Sequence, residues 1–483
     1  MTEAGLRAVL PLLVTAATSI VLLSSIAFRR NHKRSAAIAI TGIGLALAIA
    51  LARIGADASA TAFTDLLLVD SAARLGWVLV LGSTLAVLAL CHGYFESYPG
   101  NRDEIYLLVT IGTLGAMTLS CAQHIAALLL GLELLSLPMI AAVAYATAQR
   151  RAIESGAKYL VLSAGATGAL LFGLALIYAH TGALDLATVG FAIDRASLDS
   201  PLLAVGGAMV LGGIAFKLSL VPFHQWTPDV YEGAPIPITG YLATAGKVGA
   251  FVVALRLFHL DAAHGPSLAL ACISGLALAS MLVGSLLALK QTNLKRLFAY
   301  SSVAHFGYLA MLVAAPGQAA LHAAGVYLTA YVVTSLGVFG VLVLASSPMA
   351  ARDEEMLDDY RGLFWHRPYL AAILIVMLLS LAGIPLTAGF VGKLVVIEVG
   401  VAAAQWWLVG GVVFASLVSA FYYLRVMSAL TAPRPGAEAD VRGASWAGSA
   451  GGLVIVLAIV VALWLGVYPQ PLLDFGGHIT LLH

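Results

Sequence analysis

Long apolar stretches separated by short polar segments run along the whole chain. A helix needs about 20 mostly apolar residues to cross a membrane, and about 14 stretches meet that length. No run of short alternating strands is present, so we expect an all-α polytopic membrane bundle of about 14 transmembrane helices. The predicted spans lie near 4–28, 35–56, 72–96, 104–121, 124–147, 157–180, 201–225, 235–258, 266–289, 297–315, 320–347, 368–397, 401–430 and 448–469.

Two of these spans contain a similar proline-centred sequence. LSLVPF at 218–223 in the seventh span resembles LAGIPL at 381–386 in the twelfth, and each span also carries a lysine. Proline removes a helical hydrogen bond, so we expect both helices to be broken. The two spans are five apart, an odd offset that reverses membrane orientation. The pattern therefore predicts two inverted five-helix repeats, each with a broken helix, which is typical of transport sites at the membrane midplane.

These repeats divide the chain into four predicted segments. They are an N-terminal three-helix segment at 1–100, a first inverted repeat at 101–258, a second at 259–430, and a linker with the last span at 431–483. The segment 351–367 is expected to be a polar connector, and 432–447 a flexible linker rich in Pro, Gly and Ala. The first apolar segment lacks a convincing cleavage site, so we interpret it as a retained span.

Basic residues are concentrated in the loops that follow odd-numbered spans. Arg29, Arg30, Lys33 and Arg34 follow the first span, for example, whereas the opposite loops carry few such residues. Positively charged loops stay in the cytoplasm. We therefore expect both termini on the periplasmic side of a bacterial inner membrane.

The composition agrees with a membrane protein. The chain has 483 residues, of which 61% are hydrophobic and 10% charged, with a mean hydropathy of +0.97; soluble proteins have about 25% charged residues. The net charge of +1 gives no indication of nucleic-acid binding. The three isolated cysteines, Cys91, Cys121 and Cys272, indicate neither a disulfide framework nor a metal cluster.

Charged residues inside the predicted spans are the candidates for function, because a charge at mid-bilayer costs roughly 2.5–3.5 kcal/mol. Lys217 lies just before the predicted break in the seventh span, and Glu133 in the fifth span is the clear acidic partner. Burial lowers a lysine pKa and a nearby carboxylate raises it, so Lys217 could carry a proton under the control of Glu133. The alternative is a static ion pair that locks helices together.

Two further lysines fit the same interpretation. Lys247 has small neighbours, which allow close helix packing or leave room for water, and Lys393 follows the break in the twelfth span. The alternative for both is a side chain that reaches the membrane surface. For Lys247 that alternative fits poorly, since it lies about 12 residues into its span.

His224, His305, Lys158 and Glu154 are the remaining candidates. Histidine can relay protons near neutral pH, and His305 has hydroxyl side chains near it in sequence. Glu154 precedes Lys158 by four residues, the favourable order for a helical ion pair. Each of these residues could instead be a structural group. We interpret Arg425 as structural, because arginine stays charged and cannot relay protons.

Several cofactor motifs are missing from the sequence. There is no Walker loop for ATP and no GxGxxG motif after a strand for a nicotinamide. No His or Cys pairing predicts haem or iron–sulfur ligation. We therefore expect no cofactor or metal in this chain, and redox energy would have to come from other subunits.

Three stretches carry a family resemblance that covers essentially the whole chain. FKLSLVPFHQWTPDVYEGAPIPITGYLATAGKVGAF at 216–251, NLKRLFAYSSVAHFGYL at 293–309 and LAGIPLTAGFVGK at 381–393 resemble the antiporter-like membrane subunits of respiratory complex I, the proton-pumping NADH:quinone oxidoreductase. The VYEGAP portion and the chain length are similar to the N (ND2-like) subunit rather than the L or M subunits.

The resemblance implies a role for each matched residue. Glu133 matches the family's glutamate of span 5, Lys217 the lysine of the broken span 7, Lys247 the central lysine of span 8, and Lys393 the lysine of the broken span 12. The two histidines, His224 and His305, match polar positions on the family's hydrated axis. Protons would pass from the cytoplasm through Lys217, Lys247 and Lys393 to the outside, coupled to quinone reduction elsewhere in the complex.

The resemblance also implies partners. They would be the other complex I membrane subunits (the antiporter-like L and M and the K, J, A and H types) and the lipid bilayer, with NADH, FMN, iron–sulfur clusters and quinone held by partner subunits. Two alternatives remain open at this point: a subunit of a stand-alone cation/proton antiporter, and a non-pumping structural subunit.

Overall fold

The structure is a computed structural model. It describes residues 3–54, 61–96, 98, 100–196, 200–259, 267–346, 355–433, 450–477 and 481. Most of the predicted linker at 432–447 and the beginning of the connector at 351–367 therefore lie outside the described residues.

Twenty-one α-helices make up nearly all of the described chain. The first eight are α1 (Glu3–Ala8), α2 (Leu10–Phe28), α3 (His32–Ala52), α4 (Ser71–Phe95), α5 (Glu104–Cys121), α6 (Ile125–Val143), α7 (Arg150–Thr181) and α8 (Leu186–Asp194). The next seven are α9 (Pro201–Leu218), α10 (Trp226–Gly233), α11 (Ile236–Ala243), α12 (Ala245–Phe258), α13 (Leu268–Leu289), α14 (Leu294–Ala314) and α15 (Gln318–Ala345). The last six are α16 (Leu363–His366), α17 (Pro368–Ala382), α18 (Ala388–Ala402), α19 (Trp406–Thr431), α20 (Ala450–Val467) and α21 (Gln470–Gly477).

The all-α membrane bundle predicted from the sequence is confirmed. Within the described chain, 13 helical segments are long and apolar enough to cross a membrane, with α11 and α12 counted as one. The one predicted span without such a helix is the twelfth, 368–397, which is divided into the shorter helices α17 and α18. The chain is therefore a multi-pass membrane protein.

The structure adds small elements that hydropathy did not predict. Thr61–Phe63 (β1) and Leu67–Val69 (β2) form an antiparallel hairpin in which Ala62 pairs with Leu68. A short 3₁₀ turn, Leu357–Tyr360, precedes α16, and the short helix α8 lies between two spans. These elements are too short to cross a membrane, so they do not change the fold class.

Local sequence explains where many helices begin. An Asn, Asp or Ser side chain accepts a hydrogen bond from the backbone at the start of α3, α4, α8, α13 and α14, and so caps the free N–H groups there. Proline occupies the first turn of α2, α9, α11 and α17, where it removes no helical hydrogen bond. The short turn between the fourth and fifth predicted spans is also present, since α5 ends at Cys121 and α6 begins at Ile125.

The buried centre of the bundle includes the helices that carry Lys247 and His305. The segment α11–α12 and helix α14 are buried along nearly their whole length, and α15 along most of it, whereas only about a third of the residues in α2, α3, α7 and α20 are buried. Small residues allow the closest helix contacts: a Cβ on Gly115 of α5 would lie 2.3 Å from the backbone nitrogen of Leu135 in α6.

Among the residues that the structure describes, three spans are interrupted inside the bundle. Helix α9 ends before Ser219, which has a left-handed backbone (φ 61°), and a turn at 221–225 with a cis Val221–Pro222 bond leads to α10. Helix α17 ends before Gly383 (φ 84°), and α18 follows. The sequence predicts these two breaks. The third break, at Thr244 between α11 and α12, has no proline at its centre and was not predicted.

Candidate functional site

Lys217 lies in the last turn of α9, directly before the first break. Its side chain is buried, and its Nζ donates hydrogen bonds to Ser136 Oγ of α6 at 2.5 Å and to Ser163 Oγ of α7 at 3.0 Å. The ammonium group is therefore held between two neighbouring helices by neutral hydroxyl groups. A hydroxyl can accept a hydrogen bond from the charged amine and donate one to the neutral amine, so the site tolerates both forms.

Glu133 lies one turn before Ser136 on α6 and is half-buried. It is close enough to act electrostatically on Lys217, but no ion pair within 4 Å joins the two side chains in the described chain. The expected partners are thus brought to the same region, with Ser136 making the direct contact. The static ion pair considered as an alternative is not formed in this structure.

Lys247 is the most deeply buried of the candidate lysines, at 1% exposure. It lies one turn after the break at Thr244, and its Nζ donates to Ser302 Oγ of α14 at 2.8 Å. The same Nζ stands 4.6 Å from the centre of the Phe306 ring, a favourable cation–π distance. Among the described residues, no carboxylate lies within 4 Å of this amine.

Ser302 connects Lys247 to a further hydroxyl group. Besides the hydrogen bond from Lys247, Ser302 Oγ accepts one from the Tyr331 hydroxyl of α15 at 2.8 Å. The Tyr331 ring in turn lies 5.3 Å from the ring of His305, one turn further along α14. Polar groups therefore continue from the lysine toward the histidine.

His305 is buried among hydroxyl groups from three helices. Its Nδ1 lies 2.6 Å from the Tyr327 hydroxyl, and its Nε2 lies 3.3 Å from the Tyr423 hydroxyl. The Tyr423 hydroxyl also lies 2.5 Å from Ser301 Oγ. Hydroxyl groups therefore surround His305, but the two that contact it come from tyrosines on other helices, whereas Ser301, close to it in sequence, contacts Tyr423 instead.

Lys393 lies on α18 and points back to the end of α17. Its Nζ donates to the carbonyl oxygen of Ala382 at 2.8 Å, one of the carbonyls left free by the helix break. The amine stands 5.6 Å from the centre of the Tyr308 ring, and that ring lies 5.6 Å from the ring of His305. Lys393 is buried at 6% exposure, so it does not reach the membrane surface in this structure.

His224 occupies the turn between α9 and α10, on the other side of the break from Lys217. It is half-buried, its ring lies 6.2 Å from that of Tyr300, and its Nδ1 is buried without a hydrogen-bond partner in the described chain. The break places His224 and Lys217 on different elements, so they do not share a continuous helix face.

Lys158 and Glu154 form the expected ion pair, with 2.9 Å between Lys158 Nζ and Glu154 Oε1. Lys158 also pairs with Asp229 of α10 at 2.9 Å, and its side chain is 45% exposed. The pair therefore lies at the surface, apart from the buried lysines.

Arg425 makes only backbone contacts among those described. It donates to the carbonyl oxygens of Leu289 and Gln291, just at and after the end of α13. An arginine that binds the free carbonyls of a helix end stabilises that end. The contact agrees with the structural interpretation of this residue.

A buried ion pair was missed by the sequence reasoning. Arg256 Nη2 of α12 lies 2.7 Å from Asp70 Oδ1, and both side chains are buried. Asp70 also caps α4 by accepting from the backbone N–H of Ala73. Both charged residues lie near span ends, where hydropathy treats a charge as part of a loop, so no sequence signal singled them out.

No group of three or more His, Cys, Asp or Glu side chains suited to a metal ion occurs in the part of the chain that the structure describes. Lys217 and Lys247 are instead single cations surrounded by hydroxyl and aromatic groups, an arrangement that can hold and transfer protons.

The sequence of this chain matches a known membrane family. A family model described as "NADH:quinone oxidoreductase/Mrp antiporter, TM" matches residues 122–419, which contain all eight candidate residues. The chain belongs to this NADH:quinone oxidoreductase/Mrp antiporter family. A curated relative from Ectopseudomonas mendocina, "NADH-quinone oxidoreductase subunit N", is 48% identical over 100% of this chain and 98% of its own length. The resemblance to the N-type subunit that was inferred from 216–251 is thereby confirmed.

Solved structures of the family share the fold. A chain of respiratory complex I from Thermus thermophilus matches with a TM-score of 0.81 and 32% identity, covering 96% of this chain and 98% of that one. A chain of the Mrp complex from Dietzia sp. has a TM-score of 0.85 at 21% identity, with 99% and 97% covered. An archaeal membrane-bound sulfane sulfur reductase has a TM-score of 0.83 at 22% identity, with 99% and 97% covered. The last two likenesses support the fold alone.

Proposed function

We propose that this chain is the proton-translocating N-type membrane subunit of an NADH:quinone oxidoreductase. It couples electron transfer from NADH to quinone, which takes place in other subunits, to proton movement across the membrane. The 48% identity to a subunit N over the full chain supports this proposal, as does the likeness to a chain of respiratory complex I.

The surroundings of Lys247 are the main support for the mechanism. A buried ammonium without a carboxylate partner is costly, because its desolvation is not offset by an opposite charge. The contacts of Lys247, a serine hydroxyl and an aromatic ring, accommodate the charge without fixing it. A group held in this way can lose its proton without leaving an unpaired carboxylate behind. This is the property that a proton carrier requires.

The proposed route joins the buried groups in order. A proton reaches Lys217 from the cytoplasm, is retained while Glu133 acts on that lysine, and passes to Lys247. It then continues along the hydroxyl and imidazole groups around His305 to Lys393 and leaves on the periplasmic side. His224, Lys158 and Glu154 belong to the cytoplasmic approach.

The arrangement of the chain in the membrane is part of the same proposal. We assign the four segments 1–100, 101–258, 259–430 and 431–483, with the middle two as inverted repeats, since the helix breaks after Leu218 and after Ala382 fall at matching places in them. Both termini face the periplasm of a bacterial inner membrane. The redox cofactors, NADH, FMN, iron–sulfur clusters and quinone, belong to partner subunits, and the direct neighbours are other antiporter-like membrane subunits.

Replacing Lys247 in the assembled complex tests the proposal. Lys247→Ala removes the carrier, and Lys247→Arg keeps a positive charge that cannot be released at physiological pH. Both variants should assemble yet lose NADH-driven proton pumping in inside-out vesicles, with coupled quinone reduction lowered by more than about tenfold, in the range of a lost proton-transfer group.

A non-pumping structural subunit would behave differently. In that case a complex that carries Lys247→Arg would pump normally, because the positive charge and most of the side-chain volume are retained. Purification distinguishes the stand-alone antiporter: the proposal requires flavin and iron–sulfur subunits to co-purify with this chain, and their absence would contradict it.

A further inference from the structure

Helix α7 packs along the broken segment α9–α10, from the solvent-exposed end of α10 to Lys217 in α9. Along α7, contacts with this segment are made by Ser155, then Tyr159, then Ser163. Their respective partners are Asp229, Trp226 and Lys217, whose residue numbers decrease as those on α7 increase. The two elements therefore run antiparallel, and successive turns of α7 lead from a surface-exposed group to the buried lysine.

A cluster of charges occupies the exposed end of this contact. Asp229 of α10 pairs with Lys158 of α7 at 2.9 Å and with Arg296 of α14 at 2.8 Å. Glu232 pairs with the same Arg296 at 2.8 Å and with Arg151 at 3.6 Å. These side chains line a cleft of about 230 Å³ that is open to solvent. We refer to Arg151, Lys158, Asp229, Glu232 and Arg296 as the α10 charge cluster.

An aromatic pair separates the α10 charge cluster from Lys217. Tyr159 and Trp226 stack with their ring centres 4.9 Å apart and an interplanar angle of 13°, and both are buried at 4% exposure or less. Trp226 is anchored by its Nε1, which donates to the carbonyl oxygen of Phe216 at 2.9 Å. The two rings therefore lie between the solvent-open cleft and the buried Lys217.

The thickness of this barrier is small. Lys158 and Ser163 are five residues apart on α7, which corresponds to about 7.5 Å along a helix. A few water molecules would bridge that distance if the aromatic rings separated. On the α10 side of the contact, Trp226 and Asp229 lie within one helical turn, so a movement of α10 would shift the ring and the carboxylate together.

We propose that Tyr159 and Trp226 form the closed gate on the path of protons to Lys217, and that the ion pairs of Asp229 hold this gate shut. The proposal rests on the proposed function and adds the route by which the lysine is reached. Opening requires α10 to move away from α7, with the turn at 221–225 as the joint. In the open state, water connects the cleft to Lys217. Closure removes this water before the proton passes from Lys217 to Lys247, so the cleft and the interior of the bundle are never connected continuously.

The physical reason for such a gate is leakage. A permanently hydrated path to a proton carrier would let protons return without doing work. Stacked rings exclude water through their large apolar faces, and the partly exposed ion pairs at Asp229 are weak enough to break and re-form. A dry barrier held by weak charge pairs is thus well suited to repeated opening.

Accessibility of position 163 tests the gate without relying on pumping. Ser163→Cys is introduced in the complete complex, and inside-out vesicles are treated with a small, charged, membrane-impermeant thiosulfonate reagent. Labelling at that position is read by mass spectrometry. In the otherwise unchanged chain the site should react slowly, because Ser163 is buried.

Adding Trp226→Ala should accelerate labelling by about tenfold or more, since the stack no longer favours the closed state. Trp226→Phe, which retains an aromatic face, should remain close to the slow rate. Asp229→Asn weakens the ion pairs without creating a cavity, so it should give an intermediate acceleration. This variant keeps the test possible if Trp226→Ala fails to assemble. The matched control is Trp77→Ala, a buried tryptophan on α4 that donates to the carbonyl oxygen of Met117 and lies outside this path.

Two results would overturn the gate: equal labelling rates with and without Trp226→Ala and Asp229→Asn, or equal acceleration by Trp77→Ala. Failure of the proposed function is recognised separately, as normal pumping after Lys247→Arg. Labelling reports water access to position 163 whether or not the complex pumps.

Discussion

At the scale of single residues, the partners of the buried cations separate two roles. Lys217 and Lys247 are hydrogen-bonded to serine hydroxyls, and Lys393 to a backbone carbonyl. Two other buried cations are paired with carboxylates instead: Lys295 with Glu355 at 3.0 Å and Arg256 with Asp70 at 2.7 Å. A carboxylate in direct contact favours the charged form of its partner, whereas a neutral hydroxyl can form a hydrogen bond with either form of an amine. The first group suits proton transfer and the second suits structure.

The Asp70–Arg256 pair leads to a prediction about stability. Asp70→Ala removes the partner of a buried arginine and the cap of α4, and breaking a buried pair costs about 3–5 kcal/mol. We expect much less assembled complex on native gels and a lower midpoint of thermal unfolding.

Two further variants serve as controls for this pair. Asp70→Asn keeps an oxygen that can accept from Ala73 and Arg256, so its loss should be smaller. The double variant Asp70→Leu with Arg256→Met removes both charges and should recover stability relative to Asp70→Ala. Equal assembly of Asp70→Ala and the unchanged chain would contradict the interpretation.

At the scale of elements, each of the three buried candidate lysines lies at a helix break or contacts one. Lys217 precedes Ser219 at the end of α9, Lys247 follows Thr244, and Lys393 folds back onto the end of α17. A break leaves carbonyl and N–H groups without helical partners, and such backbone is tolerated in a membrane only where protein or water surrounds it. The breaks therefore provide polar surroundings for the lysines within the bundle.

The break at Gly383 yields a prediction with a matched control. Gly383 and Gly182 both follow helix ends with positive φ, at 84° and 68°. A Cβ at Gly383 would lie 2.6 Å from Lys393 Cδ, whereas a Cβ at Gly182 meets nothing within 4 Å. Alanine at either position carries a similar backbone strain of about 1–2 kcal/mol, but only Gly383→Ala displaces the lysine.

We therefore expect Gly383→Ala to lower NADH-driven proton pumping severalfold, while Gly182→Ala affects stability alone. Both variants are compared at equal amounts of assembled complex, in inside-out vesicles. Equal pumping by the two variants would show that the position of Lys393 does not depend on this glycine.

At the scale of the whole molecule, contacts in the buried centre lead from Lys247 past His305 to Lys393. The proposed path begins before these contacts, at Lys217. The path follows α9, α12, α14 and α18, and these helices are enclosed by more exposed ones such as α7 and α20. In the proposed function, the outer helices face lipid or neighbouring subunits and separate the path from both. The direction of transport across the membrane then depends on the orientation of the chain.

The proposed orientation is tested by cysteine labelling from each side. Asp358 lies in the connector before α16, and Asp65 lies in the turn of the β1–β2 hairpin; both are exposed. Asp358→Cys should react with an impermeant reagent in inside-out vesicles, and Asp65→Cys in right-side-out vesicles, because basic loops stay in the cytoplasm. The opposite pattern would invert the proposed topology and, with it, the direction of the path.

Local composition was enough to predict the membrane fold, the two proline-associated breaks and the charges that lie inside the spans. Each of these features depends on a short piece of chain: the length of an apolar stretch, a proline within it, and the cost of a charge there. The cost of a charge inside an apolar span is sufficient to single out Lys217, Lys247 and Lys393 from the sequence.

The partners of those charges became visible only in the folded molecule. The serines bound to Lys217 are 81 and 54 residues away in sequence, and Asp70 is 186 residues from Arg256. The break at Thr244 has no residue that disfavours helix strongly, so packing of the surrounding helices must produce it. Contacts between distant segments depend on how the helices pack, and hydropathy along one segment contains no information about its neighbours.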